Sequence, residues 1–128
     1  MILDTSAVVA ILLKEPGFEL VFQKRAAAET IGIGAPTLAE TGVVLRARLG
    51  RDPSGILGRF LQKFEIVTVP FGEEHWREAV EAYGIFGRGQ HAASLNFGDC
   101  MTYAVAKLAG QPLLFVGRDF SRTDLEIA

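Results

Sequence analysis

The sequence predicts an α/β domain built on a parallel sheet, and three observations predict it. Short apolar or β-branched runs recur at "MILD" (1–4), "TIGIGA" (30–35), "EIVTVP" (65–70) and "PLLFVG" (112–117). Helix-length segments separate them, and such alternation requires crossovers that lay successive strands parallel in one sheet. The chain has 128 residues, 49% hydrophobic and 22% charged, which suits one domain (1–128) with a packed core. There is no internal repeat, low-complexity tract or linker.

Residues 1–4 read as a buried strand. Thr5 or Ser6 then caps a helix running to about Lys14, which Pro16 and Gly17 end. A second helix fits Phe18 to Ala28, and 30–35 is a short apolar strand. Pro36 and Thr37 start a third helix that ends near Gly50. Asp52, Pro53 and Ser54 start a fourth, which continues through Phe64. The alternating 65–70 segment is a strand, and Glu73 to Phe86 is helical. Residues 87–97 read as loop. Gly98 to Ala109 is a helix closed by Gly110. Residues 112–117 form the last strand, with a short tail beyond.

Composition narrows the function classes. A formal net charge of −2 argues against a nucleic-acid-coating protein but leaves room for a local basic groove. One cysteine, Cys100, excludes an internal disulfide. The apolar start lacks a basic leader and is interrupted by Asp4, unlike a signal peptide. No apolar run approaches the ~18 residues that span a bilayer. The expectation is a soluble cytoplasmic protein.

Four carboxylates stand where apolar sequence makes them conspicuous. Asp4 ends the first strand, where ligands of parallel sheets bind; the alternative is a helix cap, although Thr5 and Ser6 can serve equally well. Glu40 completes a capping box in "TLAE" (37–40), yet it shares a helix face with Val43, Val44 and Ala47, read as the inward face. Asp99 opens the apolar helix "CMTYAVAKLA", whose only charge is Lys107; Asn96 and Asp99 also fit a variant capping box. Asp119 follows the last strand, or caps "FSRTD". Together the four fall on one sheet edge. Clustered carboxylates repel, and a hard cation relieves the repulsion. Oxygen-only ligands select Mg²⁺ or Mn²⁺ over zinc.

These residues resemble a known family. "MILDTSAVVAILLKEP", "APTLAETGVVLRARLG" and "GRGQHAASLNFGDCMTYAVAKLAGQPLLFVGRDFSRTDL" are similar, in order, to the PIN-domain ribonucleases, and among them to the VapC toxins of bacterial type II toxin–antitoxin systems. The resemblance implies an α/β/α sandwich with a parallel sheet of four or five strands. It implies an Mg²⁺- or Mn²⁺-dependent endoribonuclease that hydrolyses RNA phosphodiesters by in-line attack of a metal-activated water. On the matching positions Asp4 and Asp99 are direct metal ligands, Glu40 binds through water or orients the nucleophile, and Ser6 is the supporting hydroxyl. Where many members read D-x-D-F this chain reads "GRDF". Gly117 therefore replaces an acid, and Asp119 or Asp124 supplies the fourth charge.

Arg88, Gln90 and His91 precede the Asp99 helix and are candidate phosphate contacts, or a solvated loop. His75, beside Trp76, reads as structural or surface. Arg46, Arg48 and Arg51 suit a helix's negative end, or a phosphate-contacting rim. The resemblance also implies a homodimer silenced by a VapB-like antitoxin, with Val21, Phe22, Phe60 and Phe64 as candidate contacts or core. Two rival readings are a doubly wound phosphatase or phosphotransferase, whose usual D-x-D-x-T is broken by Ser6, and a non-catalytic binding module in which the carboxylates are only caps.

Overall fold

The computed structural model describes residues 1–128. Ten elements follow one another: β1 (Ile2–Leu3), α1 (Thr5–Leu12), α2 (Phe18–Ala26), β2 (Gly32–Gly34), α3 (Ala35–Leu49), α4 (Ser54–Lys63), β3 (Val67–Val69), α5 (Glu73–Phe86), α6 (Phe97–Ala109) and β4 (Leu113–Leu114). The sheet is parallel throughout in the order β3-β2-β1-β4. Successive side chains on a strand face opposite ways. Ile2 and Leu113 accordingly join the core under α5 and α6, with Tyr103 and Leu95. Leu3, Ile33 and Leu114 join the core under α1, α3 and α4, with Val8, Leu45 and Phe60. That is the α/β/α sandwich, with four strands.

Strands β2 and β3 are added to one side of β1 and β4 to the other, and the crevice beyond the carboxyl ends of β1 and β4, at this switch in strand order, is where open α/β sheets bind ligands. Asp4 N–H donates to the Leu114 carbonyl (3.0 Å), which holds the two ends together. The last strand is shorter than 112–117, because the chain bends away after Leu114. The tail returns instead, and Ile127 forms a bridge to Leu113.

Several boundaries differ from the sequence reading for local reasons. Asp4, not Thr5 or Ser6, is the N-cap of α1, accepting from Ser6 N–H at 3.1 Å. Helix α3 starts at Ala35 on Gly34, because Pro36 lacks the N–H that a first turn leaves unused. Thr37 is thereby already inside the helix, and the "TLAE" capping box does not form. The inward face of α3 is Thr37, Thr41 and Leu45, whereas Val43 is 69% exposed. No helix follows Asp119, so it caps nothing. Val21 and Phe60 are core residues, and half-buried Phe64 stacks edge-on against Phe60 and Phe22. No helix is long and apolar enough to cross a membrane.

Gly34 sets the distance between sheet and helix. A Cβ there would lie 2.7 Å from Val105 Cγ2, so glycine lets α6 settle onto the end of β2. Valine is stiff at χ1 and cannot easily turn aside. Gly34→Ala is therefore expected to destabilise the fold by about 1–3 kcal/mol. Gly58, mid-helix in α4 with nothing within 4 Å of an added Cβ, serves as control: Gly58→Ala should stabilise by about 0.5–1 kcal/mol. Urea unfolding of both variants checks the pair.

Candidate active site

Asp4 leaves the central strand into the crevice, 7% exposed. Its Oδ2 accepts from Ser6 N–H (3.1 Å) and Ser6 Oγ–H (2.6 Å), and its Oδ1 accepts from Thr102 Oγ–H (3.1 Å). Three donors compensate a charge that is otherwise costly to bury. Ser6 Oγ in turn accepts from Val116 N–H (2.9 Å), tying the start of α1 to the chain beyond β4.

Asp99 arrives from the opposite side of the crevice, on the first turn of α6. Asn96 and Asp99 form the reciprocal capping box: Asp99 N–H donates to Asn96 Oδ1 (2.8 Å), and Asn96 N–H donates to Asp99 Oδ2 (3.0 Å). The helix begins at Phe97, one residue before the expected Gly98. Burial pushes the Asp99 carboxyl up to about 6. The Asn96 N–H opposes the shift, while the charges of Asp119, Asp4 and Glu40 add to it. Four carboxylates predicted from separate parts of the sequence thus act on one another here.

Glu40 is exposed but not loose. Its Oε1 accepts from Thr5 Oγ–H (2.7 Å). On its other side the carboxylate lies against Gly98, where a Cβ would fall 2.2 Å from Oε2. Glycine at 98 therefore admits Glu40 to the N-terminal turn of α6, next to Asp99. Behind Glu40 and Asp4 runs a buried hydroxyl network. Thr41 Oγ lies 3.1 Å from Thr5 Oγ and donates to the Thr37 carbonyl (2.8 Å), and Thr37 Oγ lies 2.8 Å from Thr102 Oγ. The sequence reading missed Gly98, Thr41 and Thr102, and took Thr5 and Thr37 for caps. One signal was available: Thr102 stands at helical spacing (i+3) from Asp99 as the one β-hydroxyl residue of α6.

Asp124 is elsewhere. It accepts from Tyr103 Oη–H (2.6 Å) and pairs with Lys107, which hold its carboxyl below the usual range. Lys107 is two turns along α6 from Asp99, about 12 Å of helix rise. Of the two candidates for the fourth acid, Asp119 is the one whose charge acts on Asp99. Arg88 lines an apolar groove between α5 and α6. His91 Nδ1 accepts from Ala93 N–H (3.0 Å) within its own loop. His75 Nδ1 accepts from Gly72 N–H at the start of α5, a structural role. Arg46 and Arg48 lie in the last turn of α3, where Arg48 pairs with Glu15. Burial, and then the Asp99 charge, push the Cys100 thiol up to about 11, so it carries no thiolate at neutral pH.

No three Asp, Glu, His or Cys side chains close into a ready-made metal cage. The donor set is nonetheless all oxygen. Mg²⁺ is commonly held by one or two carboxylates while keeping several waters, so the residues fit a hydrated hard cation.

The PIN domain family model matches residues 1–126. The chain belongs to the PIN domain family. It is 46% identical over 127 residues to Ribonuclease VapC36 of Mycobacterium tuberculosis, covering 98% of this chain and 91% of that protein. The PIN fold recurs in solved structures. The crystal structure of M. tuberculosis VapC20, a sarcin–ricin-loop-cleaving toxin, superposes with a TM-score of 0.80 at 16% identity, covering 99% of this chain and 97% of that one. A chain of a toxin–antitoxin complex from Klebsiella pneumoniae gives 0.72 at 15% identity, covering 99% and 95%.

The Asp99 geometry has a consequence for stability. A carboxyl raised in the folded state binds its proton more tightly there than in the unfolded chain. Ionised Asp99 therefore weakens the metal-free PIN fold at pH 7, and the penalty fades as pH falls through about 6. After allowance for solvent screening of a half-buried group, the penalty is about 1–2 kcal/mol. Asp99→Asn, which keeps an acceptor for Asn96 N–H, should melt higher than wild type in EDTA at pH 7.5. The gap should narrow by pH 5, and a pH series of thermal melts measures it.

Proposed function

We propose that this chain is a metal-dependent endoribonuclease, the toxin of a type II toxin–antitoxin pair, and that it hydrolyses RNA phosphodiesters in the crevice beyond β1 and β4. The observation that carries the reading is the meeting of Asp4, Glu40 and Asp119 around half-buried Asp99, at the switch point of a PIN-family sheet. The near full-length likeness to VapC ribonucleases supports it, and nucleases of this family depend on a metal ion.

In this reading Asp4 and Asp99 hold Mg²⁺ or Mn²⁺ directly, Glu40 binds through water, and Asp119 is the fourth acid. When bound there, such an ion would supply Lewis acidity to a phosphoryl oxygen and acidify a water. Ser6, donating through both its N–H and its hydroxyl, keeps the Asp4 carboxylate oriented in the cleft. Thr5 and Gly98 hold the Glu40 carboxylate where it can take up a proton or orient a water. Arg88 and His91, on the chain segment before α6, are the candidates to contact RNA phosphates.

The partners follow the same reading: an RNA substrate and a VapB-like antitoxin, both met in the cytoplasm, and a second copy of this chain. The surface offered to the second copy is the groove between α5 and α6. Trp76, Val80, Tyr83 and Phe97 are exposed there, Phe97 to 77%. It replaces the Val21–Phe60 side, which is core.

Asp4→Asn and Asp99→Asn are each expected to lose at least about 100-fold in RNA cleavage, the scale set by losing a transition-state contact, with unchanged circular dichroism. Mn²⁺ should raise the melting temperature of wild type and barely move either variant. If the carboxylates are only caps, neither protein responds to Mn²⁺ and no EDTA-sensitive cleavage is seen. Light scattering should give a dimer for wild type and a monomer for Val80→Glu.

A further inference from the structure

Behind the cleft, two buried hydroxyls have only one arrangement of protons open to them. Thr102 Oγ lies 3.1 Å from Asp4 Oδ1 and 2.8 Å from Thr37 Oγ. Thr102 is 1% exposed and Thr37 2%, so water does not complete their hydrogen bonds. An ionised carboxylate only accepts, so the Thr102 proton goes to Asp4. Thr102 then has no proton left for Thr37, and Thr37 donates to it. The chain of donors runs Thr37, Thr102, Asp4.

This chain joins the two sides of the site. The other donors to Asp4 come from Ser6, two residues away on its own helix. Thr102 is the one donor to the Asp4 side chain from α6, and it stands three residues after Asp99 on that helix. Residues three apart share a helix face. One helix face thus presents Asp99 to the cleft and, a turn later, grips the carboxylate opposite. Thr37 ties the same hydroxyl to α3, the helix that carries Glu40. Packing alone does not call for hydroxyls here, since valine has nearly the same shape.

We propose that Thr102, held in turn by Thr37, is a positioning residue that sets the orientation of Asp4 relative to Asp99 and so the affinity of the pair for a divalent cation. The proposal rests on the reading that Asp4 and Asp99 hold such a cation. Groups hydrogen-bonded behind a metal ligand typically change affinity by ~10–100-fold when removed.

The test uses Thr102→Val, which keeps the shape, and Thr102→Ser, which keeps the hydroxyl, in the full chain. Mn²⁺ is titrated by calorimetry into each, alongside wild type, Asp4→Asn and Asp99→Asn. RNA cleavage is resolved into kcat and KM, and circular dichroism checks folding. Thr102→Val should bind Mn²⁺ at least ~10-fold more weakly, with a lower kcat and an RNA KM close to wild type. Thr102→Ser should recover most of the affinity. If Thr102→Val does not fold, Thr37→Val removes the second hydroxyl and should show a smaller loss in the same direction. Unchanged Mn²⁺ affinity in the valine variants, or a serine variant no better than valine, overturns the proposal. If at the same time Asp4→Asn and Asp99→Asn abolish binding, the cation reading stands without it. A wild type that takes up no Mn²⁺ overturns both.

Discussion

A carboxylate at the end of the central strand, almost out of reach of water, constrains the architecture around it. Asp4 is held by Ser6 from its own helix and by Thr102 from the far end of the sequence. The Ser6 hydroxyl is anchored to the chain beyond β4 and the Thr102 hydroxyl to α3. Removing one donor would leave a buried charge short of a partner, at a cost of about 1–3 kcal/mol. The strand end, α1, α3, α6 and the segment after β4 are therefore fixed with respect to one carboxylate. The same bonds that make Asp4 tolerable also hold its remaining lone pairs toward the crevice.

Close approach is the second requirement, and two glycines provide it. Gly34 lets Val105 of α6 come down onto β2, and Gly98 lets the Glu40 carboxylate reach the first turn of α6. Their consequences differ in kind. At Gly34 the neighbour is a stiff core side chain, so added bulk acts on the fold. At Gly98 the neighbour is the end of a glutamate side chain, so added bulk displaces the Glu40 carboxylate and leaves the fold largely alone.

Local capping and candidate chemistry share the same residues. Asp4 caps α1 and Asp99 closes the box that starts α6. A cap places a carboxylate at the positive end of a helix, at the sheet edge, which is where a ligand of a parallel sheet binds. The two roles are compatible because capping uses one side of each carboxylate. The Asp99 carboxyl, raised first by burial and then by the charges of Asp119, Asp4 and Glu40, shows that the capping hydrogen bond does not fully offset its surroundings. That residual strain is what a bound cation would relieve.

The sequence by itself determined the strand–helix order and the parallel sheet, and it singled out Asp4, Glu40 and Asp99 as candidates, because these depend on period, punctuation and charges out of place in apolar runs. The Asn96–Asp99 box was legible for the same reason, since its partners are three residues apart. Only the tertiary structure separates Asp119, whose charge acts on Asp99, from Asp124, five residues on, which is engaged by Tyr103 and Lys107 further along α6. It also overruled the inward face read for α3, where Thr37, Thr41 and Leu45 face the core and Val43 faces solvent. A threonine turned toward a carboxylate 98 residues away looks, in sequence, like any other threonine. Its partner is supplied by the packing of α6 across β1 and β2, and no local pattern encodes a contact between elements that meet only when the sheet has closed.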